Sequence, residues 1–159
     1  MIFVTLGSQK FQFNRLLKEI DRLVEDGKIT EDVFAQIGYS DYKPKNYEYK
    51  EFLDREEFRK IMSECDKVIT HGGTGAIINA VKNSKKVIAI SRLAKFGEHV
   101  DNHQTQIVSQ FREMKLILGI DKVEELVKAI AELRETKLTN YISNTENIIS
   151  SLEEYIANI

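Results

Sequence analysis

Three stretches of the chain gather residues able to do chemistry. They are Gly7-Ser8-Gln9-Lys10, His71-Gly72-Gly73-Thr74-Gly75, and Lys95-Phe96-Gly97-Glu98-His99-Val100-Asp101-Asn102-His103-Gln104. In the second, three glycines in five residues let the backbone approach a ligand closely and adopt positive φ. A helix opening at Thr74 or Gly75 would aim its unpaired N–H groups and positive dipole end at that ligand. Such a turn favours a phosphate, by roughly 0.3–1 kcal/mol from the dipole and up to ~2 when partly buried. The bland reading of the same residues is a tight strand-to-helix turn, with His71 a satisfied turn residue.

The kind of phosphate is narrowed by what the sequence does not contain. No G-x-x-x-x-G-K-[ST] is present, and no G-x-G-x-x-G opens the first strand–helix unit, so neither a P-loop nor a dinucleotide fingerprint is expected. No Asp-x-Asp pair offers itself to a divalent ion against a diphosphate. Main-chain amides and neutral hydrogen bonders would then hold a nucleoside diphosphate without metal. In the third stretch, Glu98 beside His99 could tune a base near neutral pH. His99 and His103 are four apart, as in a helical zinc pair, but Gly97 and the polar run read instead as a ligand-facing loop. That loop ends at a helix capped by Asn102 or Asp101. A solvated surface loop is the bland alternative.

These stretches need a scaffold, and the hydrophobic pattern supplies one. Ile2–Leu6, Val33–Ile37, Lys67–Thr70, Lys86–Ile90 and Leu116–Leu118 read as strands. Between them, Phe13, Leu16, Leu17, Ile20, Leu23 and Val24 recur at helical spacing up to Gly27. Asp54 reads as the N-cap of a helix through Phe58, Ile61 and Met62. Further helices carry Ile77, Ile78 and Val81, then Ile107, Val108 and Phe111, then Val123, Leu126, Val127, Ile130 and Leu133. Tyr39 to Tyr49, with four tyrosines and the only proline, reads as a loop or irregular edge strand. Strands alternating with helices predict an α/β fold: a doubly wound parallel sheet, Rossmann-like, covered on both faces. In such sheets ligands bind beyond the carboxyl ends of the strands, where the first two glycine-bearing stretches fall.

Composition sets the outer limits. The 159 residues fit one domain, 1–159, and 23 Lys plus Arg against 25 Asp plus Glu give a formal charge of −2. No basic block suggests a nucleic-acid partner. The single cysteine, Cys65, suits a reducing compartment, and no apolar run approaches the ~18 residues that span a bilayer. A cytoplasmic protein is expected. Residues 138–159 show a stripe from Leu138 through Ile149 to Ile159 at helical spacing, read as a C-terminal amphipathic helix that covers the sheet or docks on a partner.

The order of His71-Gly72-Gly73-Thr74-Gly75, Lys86-Val87-Ile88-Ala89-Ile90 and Asp101-Asn102-His103-Gln104 resembles the donor-binding half of glycosyltransferase family 28. With Gly97-Glu98-His99, the longer loop is most similar to the two-subunit transferases of bacterial capsule and exopolysaccharide assembly. The resemblance implies the C-terminal half of a GT-B glycosyltransferase. It implies that Gly7, Ser8 and Gln9 face the diphosphate and donor sugar, and that His71, Gly72, Gly73, Thr74 and Gly75 receive the phosphates. Asn102, His103 and Gln104 would contact the donor sugar and diphosphate. Asn79 stands where many relatives hold the ribose with an acid, Ser84 where a Gly is usual, and Lys86 where a Pro is usual.

The function so implied is the catalytic subunit of a two-component inverting UDP-sugar transferase. Its donor would be UDP-galactose or UDP-N-acetylglucosamine, and its acceptor a lipid-linked saccharide. A membrane-anchored partner subunit would supply the acceptor half and recruit the domain to the inner face of the membrane. Glu98 or His99 is the candidate base within the chain, unless the partner provides it. No cofactor, metal or nucleic acid is expected. The competing readings are a sugar-nucleotide epimerase half and a non-catalytic nucleotide-binding subunit that activates a partner transferase.

Overall fold

A computed structural model describes residues 1–7, 9–99 and 101–133. The predicted C-terminal helix over 138–159 lies outside the described residues, as does Ser8. In chain order the elements are β1 (Ile2–Thr5), α1 (Asn14–Glu25), β2 (Val33–Gln36), β3 (Glu48–Lys50), α2 (Arg55–Glu64) and β4 (Lys67–Thr70). There follow α3 (Thr74–Lys82), β5 (Lys86–Ile90), α4 (His103–Glu113), β6 (Leu118–Ile120) and α5 (Leu126–Leu133). Among the described residues six strands form one parallel sheet in the order β3-β2-β1-β4-β5-β6. The expected doubly wound α/β architecture is therefore the observed one.

Residue alternation along the strands builds two cores. Ile2, Val4, Ile69, Ile88 and Ile90 pack on one face with Leu16, Leu17, Ile20 and Leu23 of α1 and Leu126, Ile130 and Leu133 of α5. Phe3, Val68, Val87 and Ala89 pack on the other with Met62 of α2, Ile77 and Val81 of α3, and Ile107 and Phe111 of α4. Successive side chains on a strand point to opposite faces, so a strand buried on both sides reads as an unbroken apolar run. That is why these three strands, β1, β4 and β5, are visible as runs. Burying one such Ile or Leu contributes roughly 1.5–3 kcal/mol.

β1 and β2 each end one residue earlier than expected, and the last strand shifts further. The last strand begins at Leu118 rather than Leu116, with Ile88 paired to Leu118. Lys115 turns at φ 59 and Leu116 N donates to Phe111 O at 3.2 Å, so Leu116 and Ile117 finish the helix end before pairing can start. Tyr39–Tyr49 is loop and edge strand in succession. Asp21 of α1 pins the loop, its buried carboxylate accepting from Tyr42 Oη at 2.5 Å, Lys45 N at 2.9 Å, Asn46 N at 2.8 Å and Asn46 Nδ2 at 2.9 Å. β3 then adds as the outermost strand. Among the described residues no helix is long and apolar enough to cross a membrane.

Candidate functional site

The chain leaves β1 towards β2 on one side and later places β4 on the other side of β1. This reversal opens a crevice at the carboxyl ends of β1 and β4, the place where open α/β sheets bind ligands. The two glycine-bearing corners meet there. Thr70 Oγ1 donates to Thr5 O at 2.7 Å, closing the strand ends. Gly7 turns away at φ +71, and a Cβ on it would lie 2.8 Å from His71 Nε2. Only glycine adopts that backbone easily while leaving room for the imidazole.

The start of α4 packs on the same corner. A Cβ on Gly72 would sit 2.5 Å from Gln104 Cβ and 2.9 Å from Gln104 O, so the β4 corner and the first turn of α4 touch backbone to backbone. The glycine cluster thus serves close approach; the positive φ expected within it occurs instead at Gly7, with Gly38 behind it. Gln104 is buried and bridges two strand ends. Its Oε1 accepts from Arg92 N at 3.1 Å, and its Nε2 lies 3.3 Å from His71 Nδ1. A backbone N–H can only donate, which assigns Oε1 to Arg92 and makes Nε2 the donor to Nδ1. The ring proton of His71 is therefore on Nε2, facing Gly7. Burial first and the Arg92 charge second pull the His71 pKa down to about 3, against the Gln104 hydrogen bond. His71 is a neutral donor at physiological pH.

α3 presents an open N-terminus to this crevice. Its first helical bond runs from Ile77 N to Gly73 O at 3.2 Å, no side chain caps Gly73, and the first turn carries no acid. The amides of Thr74, Gly75 and Ala76 therefore have no helical acceptor, the arrangement that suits an anion. At α4 the expected cap takes a divided form. Asp101 Oδ1 accepts from His103 N at 2.9 Å, whereas Asn102 Oδ1 turns back to Ala94 N at 3.0 Å.

The part of the 95–104 loop from Lys95 to His99 is not a loose surface loop. Gln12 Nε2 donates to Phe96 O at 3.0 Å, the Phe11 and His99 rings stand 4.8 Å apart, and Arg15 grips Glu98 with Nε and Nη2 each at 3.0 Å. Glu98 is 1% exposed and also accepts from Leu93 N at 3.0 Å. Three donors engage its carboxylate, which makes it a strut between loop and helix rather than a free base. His99 is half-buried and lies before α4, so His99 and His103 do not share a helical face. Among the described residues no three His, Cys, Asp or Glu side chains converge.

Of the residues singled out in sequence, Gly7, His71, Gly72, Gly73 and Gln104 meet at the crevice, with Thr74 and Gly75 opening α3 and His103 opening α4. Gln9 is exposed on the β1 corner. Asn79 is exposed five residues into α3, roughly 7 Å along the axis, with Oδ1 accepting from Asn83 Nδ2 at 3.0 Å. Two residues had not been singled out. Arg15 carries no local signal, because its partner is 83 residues away. Arg92 carried a positional one, a charge immediately beyond a buried strand. Its side chain is 1% exposed, and Nη2 donates to Leu6 O at 2.8 Å and Phe11 O at 3.2 Å. Burial lowers its pKa to about 10, with Glu98 opposing, so it stays charged.

Comparison with known proteins agrees with this geometry. The family model described as "Glycosyltransferase family 28 C-terminal domain" matches residues 1–159. UDP-N-acetylglucosamine transferase subunit ALG13 of Kluyveromyces lactis is 33% identical over 88 residues, 55% of this chain and 42% of that protein. Its namesake in Candida albicans is 25% identical over 108 residues, 67% of this chain and 36% of that protein. The matches thus span about two fifths of the curated relatives' length. The solution structure of ALG13 superposes with a TM-score of 0.59 at 17% identity, covering 87% of each chain. The crystal structure of Acinetobacter baumannii MurG gives 0.58 at 16% identity, covering 82% of this chain and 40% of that one. At such identities the structures speak for the fold alone, a Rossmann-like half of a GT-B glycosyltransferase. The chain belongs to glycosyltransferase family 28, as its C-terminal domain.

Proposed function

We propose that this domain binds the nucleoside diphosphate of a UDP-sugar and is the catalytic, donor-binding part of an inverting UDP-hexose transferase. One observation carries the reading: the Gly7 and His71 corners touch at the switch point of the sheet, directly before the open N-terminus of α3. The relatives' names, which specify a UDP-N-acetylglucosamine transferase subunit, support UDP-N-acetylglucosamine as donor, with UDP-galactose as the second proposed donor. In the reaction an acceptor hydroxyl attacks the anomeric carbon from the face opposite the diphosphate. The C–O bond to the diphosphate breaks, the hydroxyl proton passes to a base, and UDP departs with an added negative charge. The amides of Thr74, Gly75 and Ala76 and the Nε2–H of His71 would receive that charge as it develops, as preorganised donors do in acyl- and phosphoryl-transfer sites.

The base is His99 or a residue of the partner, since the Glu98 oxygens already accept from Arg15 and Leu93. The acceptor half would come from a partner subunit bearing the membrane anchor, placing this domain at the cytoplasmic face. A lipid-linked saccharide of capsule or exopolysaccharide assembly is the proposed acceptor. The test is sugar transfer from UDP-sugars to a lipid-linked acceptor by the chain co-expressed with its partner. His71→Ala combined with Gln104→Ala is expected to abolish transfer, and a chelator to leave the wild-type rate unchanged. Full transfer by the double variant would instead favour a non-catalytic subunit activating a complete partner.

A further inference from the structure

Arg92 is the one side chain among the described residues whose buried polar atoms, Nε and Nη1, lack a hydrogen-bond partner. Such groups are rare in folded proteins and ask for a cause. Its place makes the cause specific. Nη2 holds the carbonyls of Leu6 and Phe11 on either side of the Gly7 corner, and the backbone N–H holds Gln104, which holds His71. The guanidinium lies over the Phe13 ring, 5.7 Å from its centroid, beneath the corner that faces α3. Both halves of the crevice therefore hang on this one residue.

The local charge does not balance. Arg15 and Glu98 neutralise each other as a bidentate pair, and the neighbouring His71 is neutral, so Arg92 leaves one positive charge under the crevice. A buried charge with unmade hydrogen bonds is costly to a fold. An anion arriving at the open amides of α3 would complete the missing charge in a setting of low dielectric.

We propose that Arg92 is a positioning residue for the diphosphate: it sets the Gly7 corner against His71 and supplies the fixed positive charge beneath the anion. It acts through the corner and at short range through space, its own atoms staying sealed below the backbone. The proposal rests on the diphosphate reading above, and its test separates the two.

The experiment is calorimetric titration of wild-type, Arg92→Met and Arg92→Lys chains with inorganic pyrophosphate, UDP and uridine, alongside melting curves without ligand. Wild-type protein should bind UDP better than uridine and should bind pyrophosphate. Arg92→Met should weaken pyrophosphate and UDP about tenfold or more, leave uridine unchanged, and melt somewhat lower than wild type because Leu6 O and Phe11 O lose their donor. Arg92→Lys, which keeps the charge but loses the planar fork, should restore most of the pyrophosphate affinity. Equal pyrophosphate binding by wild type and Arg92→Met overturns the proposal. So does a Lys variant as weak as Met, which would make the Nη2 bonds to Leu6 O and Phe11 O the whole role. Should Arg92→Met fail to fold, the Lys variant decides by the same criterion. Pyrophosphate binding that depends on Arg92 without any preference for UDP over uridine would sink the nucleotide reading while leaving this one standing.

Discussion

His71 is 5% exposed and sits beside a guanidinium, so the folded chain resists protonating it down to about pH 3, whereas an unfolded histidine takes up its proton near 6.5. Between those values the unfolded state binds more protons, and stability falls as the pH falls. Urea unfolding at stepwise lower pH should therefore show a loss beginning near pH 6.5, at up to about 1.4 kcal/mol per pH unit. His71→Gln should flatten that onset, and an unchanged slope in the variant would contradict the neutral, buried assignment. Gly72→Ala brings a Cβ within 2.9 Å of a backbone oxygen, which no rotamer change relieves. It should cost about 1–3 kcal/mol in urea unfolding and weaken UDP binding, because α4 must move off the β4 corner. His71 and these glycines stood out in the sequence because their types are unusual directly after a strand. The neutrality of His71 did not, since it comes first from burial by the folded chain and second from Arg92, 21 residues later.

Local elements show where sequence pattern stops. The run Lys86–Ile90 and the capping Asp54, whose carboxylate accepts from Glu57 N at 2.8 Å, are local signals and were legible. The loop after β2 was not, because one residue of α1 organises it. Burial would raise the Asp21 carboxyl, yet the hydrogen bonds from Tyr42, Lys45 and Asn46 bring it below its ordinary value. The same pair pushes Tyr42 up to about 12, the hydrogen bond to Asp21 being the main cause. Asp21→Ala strands four donors and should cost about 2–3 kcal/mol, read by urea unfolding, with the 39–47 loop losing amide protection first. Glu98 admits a sharper test. As a strut, Glu98→Gln should lower the melting temperature by leaving Arg15 half-buried and unpaired. As a general base it would lower kcat at an unchanged melting temperature, which is the contrary outcome. Ser84 turns at φ +58 where the resemblance makes glycine usual. Ser84→Gly should raise stability by up to about 1 kcal/mol in the same unfolding assay.

For the molecule as a whole, sheet order decides whether separate motifs become one site. Gly7 and His71 lie 64 residues apart, and only the placement of β4 beside β1 brings them into contact. Alternation of strands and helices foretold a parallel sheet, and the rule on carboxyl ends foretold the edge that carries the site. The latch of Gln12, Phe11 and Arg15 on the 95–99 loop was beyond reach, because ion pairs and ring contacts between distant segments leave no periodic trace. The central claim is that main-chain amides at these corners grip a diphosphate. The direct measurement is an amide NMR titration of the chain with UDP and then with uridine, in the presence of a chelator. The account predicts that UDP, and not uridine, shifts the amides of Gly7, Gly73, Thr74, Gly75 and Ala76 first and furthest. Shifts confined to other parts of the sheet, or equal shifts with uridine, would contradict it.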